Sequence, residues 1–518
     1  MGYVQPRSLA EPVESHTAGR RGLALFVFVI FSARVASPAE ITGPLTVSND
    51  PKYFKDANGA VLILNGSQTW NTFQDWGTNG SIEAVDFHAF VDFLTAHGHN
   101  FTLLWITEMP KFCNLPVTAS SPPDFVASPL PWLRTGPGNA SDGGVKFDLT
   151  KFDQRFFDRL RTRVQALRTA GIYTGVYLFT GEWLNIFRCS TDGYPLTGVN
   201  NVNGVDDGYT GGDKKGIGAL TMTAPSAVTR YQDAYVEKVI DTLNDLPNVL
   251  WIVSEEAPSN SIWWNAHQIS HVRAYEATKP HQHPIGYAAL IGAPDTVLYD
   301  SDADWVAPQV RISPAKSCGS GKPACKVNVN DSDHSYFGMW NHTPQVNRNY
   351  AWENFMNGNQ VLFMDPYLVY YPRESRNLCV SPTNGICKAP DARWDNFRDN
   401  LGYILRYSRK LNLSAVTVHS TLCSTGYCLA QTPSAGAEYL IYAPSGGSFT
   451  VDLSAMPASR TLAVEWFNPA TGATSAGSPV HSGSSAQPFT PPFRGDAVLY
   501  LVDTEGHATP ASLEGNHR

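Results

Sequence analysis

Residues 247–258 read Pro-Asn-Val-Leu-Trp-Ile-Val-Ser-Glu-Glu-Ala-Pro. Val249 to Ser254 form a run without alternating polar positions, introduced by a Pro-Asn turn and ended by two adjacent carboxylates. Such a run suits a parallel strand covered on both faces. Residues at the carboxyl ends of parallel strands in α/β folds line the ligand crevice. Two glutamates inside an apolar core would be costly, so their position at a strand end points to a polar site.

Working outward, the same grammar recurs. Val61–Leu64 reads as a first strand leading into Asn65-Gly66-Ser67-Gln68-Thr69-Trp70, followed by an amphipathic helix from Ile82 to Ala96 that Gly98 stops. Strand two is expected over Asn100–Trp105 and strand three over Ile172–Phe179. Between them lie a Pro/Ser/Gly-rich loop (110–146) and a helix from Asp153 to Ala170. A helix over Ala227–Leu246 precedes the opening strand, and His267–Thr278 follows it. Further strands are expected at Pro284–Ala288, Asp304–Ala307, Lys326–Asn330 and Gln360–Met364, with helices at Arg348–Asn357 and Asp395–Leu411. Eight strands alternating with helices predict an α/β fold, a (β/α)8 TIM barrel with long loops, over residues 40–411. The irregular link is between strands six and seven, where a Pro/Gly/Cys loop stands in place of a clear helix. A doubly wound open sheet is the rival fold, but no G-x-G-x-x-G turn supports nucleotide binding. From Ser414 the pattern changes to short strands (Ala415–Val418, Glu438–Tyr442, Ser448–Leu453, Leu462–Phe467 and Ala497–Val502) between Gly/Pro/Ser turns. That predicts a small C-terminal β-sandwich over 412–505, with a disordered tail at 506–518.

The 518-residue chain is 16% charged and 12% aromatic, with 13 Trp, which is too apolar for disorder. A net charge of −8 and a pI near 6.0 argue against nucleic acid or an anionic membrane as the main partner. Arg20 and Arg21 precede an apolar stretch, Leu23–Phe31, and the small residues Ala33, Ala36 and Ala39. This predicts a signal peptide over 1–39 and a secreted or periplasmic protein; an N-terminal anchor or core helix is the plainer alternative. No later segment suggests stable membrane insertion. In an exported chain, eight cysteines read as four disulfides. The spacing pairs Cys318 with Cys325, Cys379 with Cys387 and Cys423 with Cys428, leaving Cys113 with Cys189. Zinc is the competing reading, but there is no C-x-x-C pair and no matching histidine spacing, so neither metal nor cofactor is expected.

Two carboxyls at one barrel mouth, one protonated and one ionised, are what glycoside hydrolysis needs. Glu255 or Glu256 is the first candidate, since strand alternation points only one of them inward; the plainer reading is that both favour a helix N-terminus or solvent. The second is the Val327-Asn328-Val329-Asn330-Asp331-Ser332-Asp333-His334 stretch, which brings two acids and an imidazole to a strand end. Its plainer reading is a turn or a Ca²⁺ loop, which Asp300-Ser301-Asp302-Ala303-Asp304 fits better although it lacks the EF-hand glycine and acid. Other strand ends carry Asn71, Trp105, Glu108, Glu182, Trp183, Trp305 and Asp365. Trp70, Trp183, Trp263, Trp264 and Trp340 are candidate sugar platforms, although a single ring is more often core. The first strand lacks the His-x-His of metal-dependent barrel hydrolases, and the chain lacks the G-x-S-x-G elbow of serine hydrolases.

Five stretches carry a resemblance to a known family: Asn65-Gly66-Ser67-Gln68-Thr69-Trp70, the Val249–Glu256 run, Asn330-Asp331-Ser332-Asp333-His334, residues 347–367, and Trp466-Phe467-Asn468-Pro469-Ala470-Thr471-Gly472. The chain resembles a bacterial family of glycoside hydrolase-like barrels that includes apiosidases. These are related to the large retaining (β/α)8 glycosidase clan and often carry a C-terminal domain labelled collagen-binding. The likeness covers Leu45 to Asp503. It implies Glu256 as acid/base, with Glu255 where the clan places an asparagine. It implies Asp331 as nucleophile in place of the usual glutamate, with Asp333 as runner-up. Trp70, Asn71, Trp105, Glu108, Glu182, His334 and Asp365 then become candidates for substrate contact. Relatives read G-D-T-A-W where this chain has Gly66-Ser67-Gln68-Thr69-Trp70, which leaves the substrate open. The expectation is a secreted, retaining glycoside hydrolase acting on oligo- or polysaccharide from plants or microbes. The alternative is a non-catalytic carbohydrate- or matrix-binding protein on the same scaffold.

Overall fold

In a computed structural model, the described residues are 40–504, apart from 50–51, 70–71, 79–83, 113–124, 186–192, 209–215, 310–325, 333–342, 366, 368–381, 384–385, 388–391, 432–435 and 457–459. The proposed signal segment and tail therefore lie outside them. So do the loop between strands six and seven and the residues Trp70, Asn71, Asp333, His334 and Trp340.

Eight parallel strands form the barrel: β1 Gly66–Gln68, β2 Phe101–Leu104, β3 Tyr173–Phe179, β4 Val249–Ser254, β5 Ile285–Ala288, β6 Trp305–Ala307, β7 Val327–Asp331 and β8 Gln360–Met364. From β2 to β8 each pairs with its neighbour in sequence, and β8 pairs with β1. Between β1 and β2 the closure is made by Asn65 and Asn100 in place of a regular ladder. The Asn100 N–H donates to the Asn65 carbonyl at 3.1 Å, and the Asn100 side-chain oxygen accepts from the Asn65 N–H at 2.9 Å. Gly66 permits this approach, since a Cβ there would stand 1.9 Å from the Phe101 carbonyl oxygen.

Strand alternation sorts the side chains into two layers. Leu103, Tyr177, Leu250, Ile252, Trp305, Val329 and Leu362 fill the interior, while Leu104, Val176, Trp251, Val253 and Val306 face the helices. A three-stranded antiparallel sheet (Thr46–Val47, Phe54–Lys55 and Val61–Leu62) adds Leu45 and Phe54 to the interior. This corrects the expected first strand. The apolar Val61–Leu62 belongs to that sheet, and the barrel strand is the short polar Gly66–Gln68.

The helices are α1 Phe87–Ala96, α2 Gln154–Thr169, α3 Ala227–Leu243, α4 Ile262–Glu276, α5 Pro344–Met356 and α6 Asp395–Lys410. Asp86, Asp153, Ser226 and Thr343 cap the first, second, third and fifth, satisfying N–H groups that have no partner within the helix. Helix α4 begins five residues before the expected His267. Its first turn carries Trp263 and Trp264. Trp264 is buried against Phe179 and donates to Gln232 at 3.0 Å. The stretch 110–146, expected as loop, holds strands Phe125–Ser128 and Trp132–Asn139, the latter pairing with Val145–Phe152. Gly and Pro interrupt its alternation and hid these strands from the sequence reading.

The C-terminal domain is a β-sandwich. Its six-stranded antiparallel sheet runs in the order β9 Thr417–Val418, β10 Cys428–Gln431, β11 Glu438–Ala443, β16 Ala497–Asp503, β13 Thr461–Asn468 and β14 Ala473–His481. Against it packs the pair β12 Phe449–Val451 and β15 Gln487–Phe489, with Trp466 between the sheets. The outer face of the large sheet is apolar and joins α5 and α6 in one core, where Trp352 stacks on Tyr442 at 5.9 Å. Arg348 of α5 forms a two-pronged ion pair with Asp496, at 2.9 and 2.6 Å. The Asn468–Gly472 turn lies on α6, where Asn400 donates to the Pro469 carbonyl at 2.9 Å.

The cysteine expectation needs one correction. Cys423 and Cys428 are buried as thiols, not joined. The two sulfurs meet through a hydrogen bond that draws the Cys423 thiol down to about 6 against the effect of burial, while the same bond and burial together push Cys428 well above the ordinary range. Thr425 Oγ1 stands 3.0 Å from the Cys423 sulfur, so that side chain is committed to hydrogen bonds in a tight turn. The other six cysteine side chains lie outside the described set.

Candidate active site

Strand β7 is where register decides chemistry. Val327 and Val329 point into the barrel, so Asp331, two further on, does too, and it is 1% exposed. The intervening asparagines point outward and are tied to the surrounding shell. Asn328 accepts from Tyr299 at 3.0 Å, and Asn330 donates to Asn354 of α5 at 2.5 Å. Inside, Gln68 of β1 donates from Nε2 to Asp331 Oδ2 at 3.3 Å, and its Oε1 accepts from Trp105 Nε1 at 2.6 Å. The Trp105 ring in turn lies 4.7 Å from Tyr177. Beyond Asp331, Ser332 Oγ accepts from the Met364 N–H at 2.8 Å and holds the ends of β7 and β8 together.

Strand β4 ends differently. Alternation holds through Ile252 and Val253, and then the chain turns. Glu256 has φ of +42°, the one non-glycine residue with positive φ among those described. Strain of this kind at a strand end is characteristic of functional sites and costs about 1–3 kcal/mol. Glu255 is 1% exposed and Glu256 is half-buried. The turn is held from the short helix Gly181–Asn185. Asn185 Nδ2 donates to the Glu256 carbonyl at 3.2 Å, and a Cβ at Gly181 would meet the Glu255 carbonyl oxygen at 2.1 Å. The structure thus brings Asp331, Gln68, Trp105 and the Glu255–Glu256 turn to the carboxyl-terminal edge of one barrel.

The remaining candidates fall elsewhere. Glu108 is 1% exposed and accepts at Oε2 from the Thr180 N–H (3.2 Å) and hydroxyl (3.1 Å). Burial pushes its carboxyl up to about 7, with the hydrogen bonds opposing. Both oxygens of Asp365 are engaged by Arg398 of α6, at 2.8 and 2.6 Å, in a fully buried pair. Trp305 is buried in the barrel interior. The side chains of Glu182 and Trp183 lie outside the described set. Gln68 is the site residue that sequence reasoning passed over. Counting by twos from Leu64 would have placed it inward. Among the described residues no cluster of three His, Cys, Asp or Glu side chains could hold a metal ion, and no helix is long and apolar enough to cross a membrane.

With this geometry in view, the chain can be set beside known proteins. A family model described as "Putative collagen-binding domain of a collagenase" matches residues 418–502. Among solved structures, a glycoside hydrolase family 5 protein from Bacteroides vulgatus ATCC 8482 is similar, with TM-score 0.53 and 13% identity, over 89% of this chain and 94% of its own. A second structure from the same strain, described as a "putative glycoside hydrolase", has TM-score 0.58 and 13% identity, over 89% of this chain and 82% of its own. No curated protein matches the chain in sequence. At this identity the likeness establishes the fold: a TIM barrel followed by an antiparallel β domain.

Proposed function

We propose that the protein is an exported glycoside hydrolase that cleaves oligo- or polysaccharide by a retaining, two-carboxylate mechanism. The observation that carries the reading is the inward Asp331, fixed by Gln68, on the same barrel edge as the Glu255–Glu256 turn. Asp331 is assigned as the nucleophile, since an interior carboxylate receiving an amide hydrogen bond is held in place for attack on an anomeric carbon. Glu256 is assigned as the acid/base. It is the less buried of the turn's two glutamates, able to protonate a leaving oxygen and then to activate water. Trp105, which donates to Gln68 and packs on Tyr177, backs the Gln68–Asp331 contact from inside the barrel. The glycoside hydrolase names of the structural neighbours support this reading. Screening the purified protein against polysaccharides and aryl glycosides tests it: turnover of at least one glycoside class is expected, and none across a broad panel would contradict it. The match over 418–502 favours a second role for the tail alone, as a module that binds matrix or collagen-like protein while the barrel cleaves sugar.

A further inference from the structure

The sequence reading placed Glu108 among residues that touch substrate, but the structure turns its carboxyl to the backbone and hydroxyl of Thr180. We propose instead that Glu108 is the positioning residue of the turn carrying Glu255 and Glu256, acting through Thr180 and the short helix Gly181–Asn185. The inference rests on the glycosidase reading and deepens it.

The chain of contacts is continuous. Glu108, four residues past β2, takes both the backbone N–H and the hydroxyl of Thr180, which follows β3. The Thr180 hydroxyl also lies 3.3 Å from the Ile106 carbonyl, so Thr180 is held to the β2 end at two points. The next residue, Gly181, is in contact with the Glu255–Ala257 turn; a Cβ there would come within 2.1 Å of the Glu255 carbonyl oxygen and 2.8 Å of the Ala257 nitrogen. At the far end of the same short helix, Asn185 holds the Glu256 carbonyl. The strained turn thus rests on a platform that the Glu108 carboxyl and the Ile106 carbonyl hold to the β2 end.

A buried carboxyl makes this device sensitive to protonation. Glu108 Oε1 has no hydrogen-bond partner among the described residues, and neither do the hydroxyls of Tyr194 and Tyr235. The ionisable groups facing Glu108 are these two phenols, both pushed up by burial first and by the Glu108 charge second, with Asp207 beyond Tyr194. Among them there is no cation to stabilise an ionised Glu108. In the protonated form its O–H can donate to the Thr180 hydroxyl, which then donates to the Ile106 carbonyl. In the ionised form Thr180 must turn its hydroxyl to Glu108, and the Ile106 contact is lost. Protonation is therefore coupled to the tether between β2 and β3.

The test compares Glu108→Ala and Glu108→Gln with the wild type on a glycoside that the wild type hydrolyses. Glu108→Ala is expected to lower kcat roughly 10- to 100-fold, with KM within about 3-fold, because geometry and not affinity is disturbed. Wild-type kcat is expected to fall as pH rises through about 7 and the Ile106 contact is lost; Glu108→Gln, which keeps the size and an acceptor oxygen, is expected to restore kcat to within about 3-fold and to abolish that fall. In parallel, hydrogen exchange read by mass spectrometry should show Glu108→Ala speeding exchange in 180–185 and 255–258, and Glu108→Gln should not. Full kcat in Glu108→Ala, or a loss expressed in KM, would overturn the positioning role. So would unchanged exchange in those two segments. If the wild type hydrolyses nothing, the glycosidase reading fails, while the exchange experiment still decides whether Glu108 holds the turn.

Discussion

The two strand ends that bear the candidate carboxyls are built on opposite principles. At β7 the chain stays in register to its last residue. Asp331 points inward because Val327 and Val329 do, and Asn330 is clamped to Asn354 on the other face. That clamp belongs to α5, whose Trp352 is pinned by the sandwich, so the β7 end is backed by two domains. At β4 the chain abandons the strand, enters the left-handed region at Glu256 and rests on a five-residue helix. The nucleophile needs one fixed in-line position, whereas an acid/base must serve leaving group and water in turn. A rigid strand and a strained turn suit these two demands.

The largest expected effect lies at the rigid end. Asp331→Asn is nearly isosteric and keeps contact with Gln68, but removes the carboxylate proposed as nucleophile. Turnover is expected to fall by about 10⁴-fold or more for every substrate, roughly 5 kcal/mol in activation free energy. Steady-state rates on an aryl glycoside and a polysaccharide check this. Equal activity in Asp331→Asn and the wild type would remove β7 from the chemistry.

Next comes the scaffold behind it. Trp352 is fully buried between α5, α6 and the sandwich, and Trp352→Ala should cost about 3–5 kcal/mol in unfolding free energy. The sandwich's shared apolar core and the Arg348–Asp496 pair predict that truncation after Leu411 loses most of the barrel's stability. A truncated barrel that melts within a few degrees of the full chain would show that β7 is not braced in this way.

At the strained end the effect should depend on the leaving group. Glu256→Gln is expected to slow substrates with poor leaving groups by about 10²- to 10³-fold and to spare activated aryl glycosides. The same split in Glu255→Gln, with Glu256→Gln unaffected, would move the acid one residue back and reverse the assignment within the turn.

The smallest effect is one of pH. The folded-state pKa of Glu108 is raised to about 7 by burial, above its ordinary value of 4.5. For a raised pKa, the stability contribution is full below the unfolded-state value and is lost as pH climbs from about 4.5 to about 7. The loss is on the order of 2–3 kcal/mol. Urea unfolding at pH 5 and pH 8 should show this loss in the wild type and a flatter dependence in Glu108→Gln. Parallel pH dependences would place the titration on another group.

The same contrast explains what the sequence could reveal. Apolar runs such as Val249–Ser254 and Tyr173–Phe179 announce buried parallel strands, because nothing else tolerates them. In Val327–Asp331 the alternation of valine and asparagine is visible too, but the choice of Asp331 came from the family resemblance, with Asp333 left open. Where polar contacts replace apolar ones, the signal fails. Gly66–Gln68 is short and polar because it faces Asp331 and Trp105, so the stronger apolar run Val61–Leu64 claimed its place. The role of Glu108 was illegible for a related reason. A buried carboxyl is explained by its partner, and Thr180 lies 72 positions away.

The account rests on a covalent intermediate at Asp331, and trapping tests that most directly. The protein would be incubated with a 2-deoxy-2-fluoro glycoside, carrying an activated leaving group, of the sugar identified by screening. Intact-mass and peptide mass spectrometry would follow. The account predicts one glycosyl adduct per chain, on the peptide containing Asp331 and at that carboxyl. Release of product with inverted anomeric configuration and no adduct, or an adduct on another carboxyl, would contradict it.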